Sequence, residues 1–94
     1  MDNNIKLFHL KFCPHCKKAI DLLGILQKEN PEYAKIEVQK IDEDENKEFA
    51  DSYDYHYVPC IFLGERKMFE GAMKKEDIKY VLDEYMKENQ SVGN

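Results

Sequence analysis

The sequence predicts an α/β protein in the order β-α-β-α-β-β-α, folded as a four-stranded mixed sheet flanked by helices. Two observations lead there. Short apolar runs of strand character alternate with stretches whose apolar residues recur at helical spacing, the order that pairs strands in parallel through right-handed crossovers. The last two runs are separated only by Gly64-Glu65, a two-residue hairpin that adds an antiparallel strand at the edge. A chain of 94 residues supports one core and not two, so 1–94 is read as a single domain.

Each element has its own signal. Ile5 to Leu10 alternate loosely between apolar and polar side chains and read as the first strand. From Pro14 to about Lys28, Ala19, Leu22, Leu23 and Leu26 fall on one helical face. Pro14 suits the first helical position, where its missing N–H is not needed, and Cys13 becomes the N-cap. The stretch "ENPEY" reads as a turn or break, because a proline disfavours helical backbone in the residue before it. "KIEVQKID" is the second strand, with Ile36 and Val38 on one face. "DEDENKEFADSY" opens with acids suited to a helix N-terminus, Asp42 and Glu45 have capping-box spacing, and Phe49, Ala50 and Tyr53 form the inward stripe of a second helix. Cys60 to Leu63 and Arg66 to Glu70 are the hairpin strands, with Gly64 where a type II′ turn needs it. Ile78, Val81, Leu82 and Tyr85 mark the last helix, Lys75 to about Lys87. The polar tail, about 89–94, is expected to fray.

Composition narrows the function classes. With 19 acidic against 14 basic residues the net charge is −5, which argues against nucleic acid as a partner, since phosphate binding needs clustered Lys and Arg. No apolar run is long enough for a bilayer, and "MDNNIKLFHL" lacks the basic opening and apolar stretch of a secretory signal. A cytoplasmic monomer is the expectation. Three cysteines without such a signal do not suggest a structural disulfide framework. A Cys-x-x-Cys pair in a reducing compartment is catalytic or metal-binding instead.

That pair lies in "FCPHCKKAIDLL". The attacking species in disulfide exchange is the thiolate, and an unperturbed cysteine near pKa ~8.5 is mostly protonated at neutral pH. A helix N-terminus supplies free N–H groups and the positive end of a dipole to Cys13. Lys11, Lys17 and a protonated His15 would add positive potential. Cys16 lies one turn on, within reach of Cys13. Cys13 would attack a substrate disulfide, and Cys16 would resolve the mixed disulfide. The rival reading is a metal or iron–sulfur carrier in which Cys13, Cys16 and Cys60 join one of His9, His15 or His56. A third is an adaptor that keeps the scaffold without turnover. Cys60 is either a third reactive thiol or a small buried strand residue. Of the tyrosines at 53, 55 and 57, Tyr57 is the candidate for lining a substrate groove.

"FCPHC" after a strand, "YVPCIFLG" after the second helix and "FEGA" closing the hairpin resemble the thioredoxin superfamily, and in size and layout its glutaredoxin branch, over nearly the whole chain. The resemblance implies a thioredoxin-like, glutaredoxin-type fold and a thiol-disulfide oxidoreductase with no bound cofactor. Cys13 and Cys16 are the catalytic candidates, with His15, Lys11 and Pro14 the candidates for tuning the thiolate. The resemblance also implies a cis Pro59 beside the pair and Val58 offering main-chain hydrogen bonds to an extended substrate. Its partners would be protein or small disulfides, with a reductase or glutathione as electron source. Glutathione is a candidate co-substrate, but three positions differ from glutathione-binding relatives: Leu10 replaces a basic residue, Tyr57 replaces a threonine, and Gly71-Ala72 replaces a Gly-Gly pair followed closely by Asp. The Pro-His dipeptide resembles that of strongly oxidising members, implying a potential less reducing than that of typical thioredoxins.

Overall fold

The computed structural model describes residues 4–92. Its elements are β1 (Ile5–His9), α1 (Pro14–Glu29), α2 (Pro31–Ala34), β2 (Val38–Asp42), α3 (Lys47–Asp51), β3 (Cys60–Leu63), β4 (Arg66–Glu70) and α4 (Lys75–Val92). The strands form one sheet in the order β2-β1-β3-β4. β1 and β2 are parallel, from Ile5 opposite Val38 to His9 opposite Asp42, as a helical crossover demands. β3 runs antiparallel to both β1 and β4, so the sheet is mixed as predicted, but the reversed strand is the central β3, which was expected to run parallel because a helix precedes it.

Pleating sends alternate side chains of the central strands into two cores. On one face Ile5, Leu7, Ile61 and Leu63 pack with Ala19, Leu23 and Leu26 of α1 and Ile78, Val81 and Leu82 of α4. On the other, Phe8, Cys60 and Phe62 pack with Ile41 and with Ala50 of α3. Phe8 anchors this second core, with Tyr55, Tyr53 and Phe62 ring centroids at 4.9, 5.1 and 5.8 Å. Phe49, predicted to point inward, is only half covered, although it still stacks on Phe8 at 6.2 Å.

Five local details differ from the sequence reading. The break at "ENPEY" is confined to Asn30, whose extended backbone ends α1 and whose side chain caps α2 by accepting the Glu32 N–H at 2.9 Å. Proline is permitted at a first helical position, so Pro31 opens a new turn. That turn buries Tyr33, whose hydroxyl donates to Asp83 of α4 at 2.5 Å. β2 consequently starts at Val38, because the Ile36 N–H still donates back to Tyr33. The acidic stretch is a turn before α3: Asp42 accepts the N–H groups of Asp44 and Glu45 at 2.9 and 3.3 Å, and the helix proper waits until Lys47. α4 continues to Val92, past the predicted stop at Lys87, and positions 93–94 of the expected frayed tail lie outside the described residues. β1 stops at His9, leaving Leu10 in the connection to α1.

The hairpin follows expectation. Gly64 has φ of 66° and Glu65 does not share a positive φ, the pattern of a type II′ turn. The β3–β4 register slips between Ile61 and Phe62, so that Phe62 faces Lys67 while Ile61 faces Phe69. This bulge inserts Met68 and changes the facing of everything after it.

Two phenylalanines should behave oppositely. Phe8→Ala removes the centre of the aromatic core and is expected to cost about 3–5 kcal/mol in urea unfolding. Phe12, 98% exposed, is expected to change stability by no more than about 0.5 kcal/mol on truncation to Ala. Equal costs would contradict this assignment of the core.

Candidate active site

The β1–β3 register brings the two predicted halves of the site to one end of the sheet. Phe8 pairs with Cys60, so the chain leaving β1 through Leu10–Phe12 and the chain entering β3 through Tyr57–Pro59 emerge side by side. Asp42, opposite His9, and Glu70, opposite Cys60, end β2 and β4 at the same rim.

Cys13 is the N-cap of α1, extended at φ −122° and ψ 104°, with Pro14 behind it in the first turn. Its sulfur accepts the Cys16 N–H at 3.1 Å, a role usually taken by a Ser or Asp oxygen. The first turn holds no acidic residue to oppose charge on that sulfur. Cys13 and Cys16 are joined as a disulfide with Cα atoms 5.1 Å apart, within the normal span of such a bond. Their exposure is unequal. Cys16 is buried, whereas Cys13 is partly open and lines a hollow of about 340 Å³ with Lys11, Phe12, Pro14 and Lys17. An incoming sulfur therefore has access to Cys13 alone.

The groups expected to tune Cys13 are placed differently from one another. His15 and Lys17 are exposed on the first turns of α1. Lys11 forms an ion pair with Glu45 at 3.0 Å, and that hydrogen bond and charge raise its pKa. Glu45 is available for this because the turn capped by Asp42 holds it beside Lys11 instead of in a closed capping box. The field of Lys11 at Cys13 is thus that of an exposed pair, weaker than that of a lone cation.

The second half of the site is the loop before β3. The Val58–Pro59 peptide is cis. Pro59 is buried, and its carbonyl accepts the Gly71 N–H at 2.8 Å. Tyr57 is 70% exposed, and the Val58 N–H and C=O make no hydrogen bond among the described residues. Tyr55 is fastened to Glu43 by its hydroxyl at 2.7 Å, and burial, followed by that bond, pushes its pKa up.

Two residues of this rim escaped the sequence reading. Glu70 accepts the N–H groups of both His56 and Tyr57, the latter at 2.8 Å, and pairs with Lys67 at 2.9 Å. The Lys67 bond and then the two amides hold its carboxyl down at about 2. An acid directly before a turn glycine was the only trace of this in the sequence. Phe12 is the other: an aromatic between Lys11 and Cys13 with no core face to join.

Cys60 is a small buried strand residue. It is buried in the Phe8 core, and burial, then the charge of Glu70, pushes its thiol up to about 12. The Cys13, Cys16, Cys60 and histidine set needed by a metal carrier is not assembled, because Cys60 faces the aromatic core; among the described residues no three His, Cys, Asp or Glu side chains are grouped to hold a metal ion. Nor is any described helix long and apolar enough to cross a membrane.

Comparison with known proteins agrees with this geometry. The glutaredoxin family model matches residues 5–68. A probable thioredoxin of Methanothermobacter thermautotrophicus is 32% identical over 83 residues, covering 88% of this chain and 95% of its own. Among solved structures, thioredoxin 1 of the thermophilic eubacterium Thermosipho africanus superposes with a TM-score of 0.69 at 18% identity, covering 93% of this chain and 98% of that one. Fasciola hepatica thioredoxin does so at 0.66 and 21% identity, covering 89% and 83%. These last two likenesses concern the fold.

Two outcomes follow from the titrating groups. With its thiol held up at about 12, Cys60 should resist iodoacetamide in the folded, reduced protein at pH 8 and react once urea exposes it; mass spectrometry reads the adduct, and rapid native labelling would contradict its burial. Glu70 is a lowered acid, so its contribution to stability is full above the ordinary value of 4.5 and is lost as pH falls from there toward about 2. The His56 and Tyr57 amide resonances should therefore keep their native shifts to about pH 3. A transition centred near 4.5 would show that the carboxylate does not hold them.

Proposed function

The chain belongs to the glutaredoxin family, within the thioredoxin superfamily, and on that premise we propose that it is a thiol-disulfide oxidoreductase working through both cysteines of its active-site pair. The observation that carries the proposal is the asymmetry of that pair: a partly exposed Cys13 whose sulfur receives a helix N–H, bonded to a buried Cys16.

In the reduced protein the Cys16 N–H and the helix dipole favour the Cys13 thiolate. That thiolate attacks one sulfur of a substrate disulfide, forming a Cys13–substrate disulfide and releasing the other substrate sulfur as a thiolate that takes up a proton. Cys16, having lost its proton, attacks the Cys13 sulfur. The substrate's second thiolate leaves, and the Cys13–Cys16 disulfide holds two fewer electrons than the dithiol. An external dithiol, from a reductase or two molecules of glutathione, returns them. The residues at Leu10, Tyr57 and Gly71-Ala72 differ from those of glutathione-binding relatives, which supports a protein reductant over glutathione.

The substrate meets the site at the open hollow over Cys13 and along Val58, whose unpaired N–H and C=O can add an extended segment by main-chain hydrogen bonds. Phe12, which lines that hollow, and Tyr57, next to Val58, are exposed aromatics. The cytoplasm is the proposed setting, because a reducing pool there would recharge the pair.

Purified protein should form one intramolecular Cys13–Cys16 disulfide in mild oxidant and lose it to dithiothreitol. Disulfide reductase activity should fall by at least about a thousandfold in Cys13→Ser, which lacks the attacking thiolate. Cys16→Ser should accumulate a mixed disulfide with substrate, visible by mass spectrometry. Full activity in Cys13→Ser would remove the proposal.

A further inference from the structure

The loop before Pro59 is held by a side chain that strand pairing does not require. Glu70 Oε2 accepts the N–H groups of His56 and Tyr57, while Oε1 accepts the Lys67 ammonium. In a regular strand residues 67 and 70 point to opposite faces. The bulge at Met68 inserts one residue between them, so Lys67, opposite Phe62, and Glu70, opposite Cys60, share a face. Two consecutive amides converging on one charged oxygen make a stronger and more directional anchor than neutral bonds would. The anchor occupies both of those donors, and within the loop segment 56–58 the N–H and C=O of Val58 make no hydrogen bond among the described residues.

We infer that Glu70 is a positioning residue that holds His56 and Tyr57 so that Val58 presents its main chain to a peptide carrying the substrate disulfide, and that the protein thereby favours peptide disulfides over small ones. The inference rests on the thiol-disulfide reading above. Glu70 does not touch the exchanging sulfurs. Without it, residues 56–58 lose two ordering bonds, and an incoming strand must order them as it binds. The loss falls on substrate binding and leaves the sulfur exchange alone. A small disulfide with no peptide backbone does not feel it.

Steady-state kinetics on a disulfide-containing peptide and on hydroxyethyl disulfide test this in wild type, Glu70→Ala, Glu70→Gln and Lys67→Met. In Glu70→Ala the KM for the peptide should rise about tenfold with kcat within about twofold, the scale of losing hydrogen bonds to a charged group. Glu70→Gln keeps an accepting oxygen and should recover part of that loss. Lys67→Met loses the ion pair but keeps both amide bonds, and should cost less than about threefold. Amide exchange at His56 and Tyr57 should quicken in Glu70→Ala. An unchanged peptide KM in folded Glu70→Ala would overturn the inference, as would equal losses on both disulfides, or a Lys67→Met loss matching Glu70→Ala. Wild-type protein inactive on both disulfides would overturn the underlying reading as well.

Discussion

Everything at the active end of this molecule depends on the antiparallel pairing that sets Phe8 of β1 opposite Cys60 of β3. The pairing is held on both faces of the sheet, by Leu7 and Ile61 among the helices α1 and α4, and by Phe8 and Phe62 within the aromatic core. A slip of one residue would exchange these two sets of side chains and bury the wrong surfaces. It would also move the loop before Pro59 along the strand relative to the start of α1. The placement of the cysteine pair therefore depends on the packing of both cores.

Within that frame the pair is differentiated by local backbone geometry. An N-cap residue stands half outside its helix, and the residue three positions later stands one turn inside it. Cys13 thus has access to solvent and to a hydrogen-bond donor, and Cys16 has neither an open approach nor a free surface. Cys60 shows the contrast. It is close in sequence to the site, but its sulfur lies in an apolar core where a thiolate is unfavourable. Position relative to a helix start, more than residue type, separates a usable thiol from an inert one here.

Charge around the site is organised in fixed pairs. Lys11 is matched by Glu45, and Lys67 by Glu70. The second pair has the larger structural consequence, since its carboxylate also gathers two backbone amides and so couples the end of β4 to the loop ahead of β3. This coupling exists because a bulge alters the facing of β4, a feature that looks like a defect in the ladder and lets Glu70 reach the loop before Pro59.

Much of this was legible in the sequence. The period of the apolar residues determined the order of elements and most of the inward faces, because burial of one face is a local demand that each segment must meet. Proline after Cys13 and glycine in the hairpin marked a helix start and a turn, because those residues restrict or permit particular backbone angles. The helical turn after Asn30 was not legible, since Tyr33 is held by Asp83, fifty residues away, and neither was the late start of α3, since the Asp42 carboxylate is taken by the amides of a turn at Asp44 and Glu45. The sequence by itself determined that Cys13 heads a helix with Cys16 one turn behind, because that depends on spacing and a proline alone. Only the tertiary structure decided that Glu45 would take Lys11, that Glu70 would hold the loop at Tyr57, and that Cys60 would be sealed away, because each depends on which strands pair and in which register.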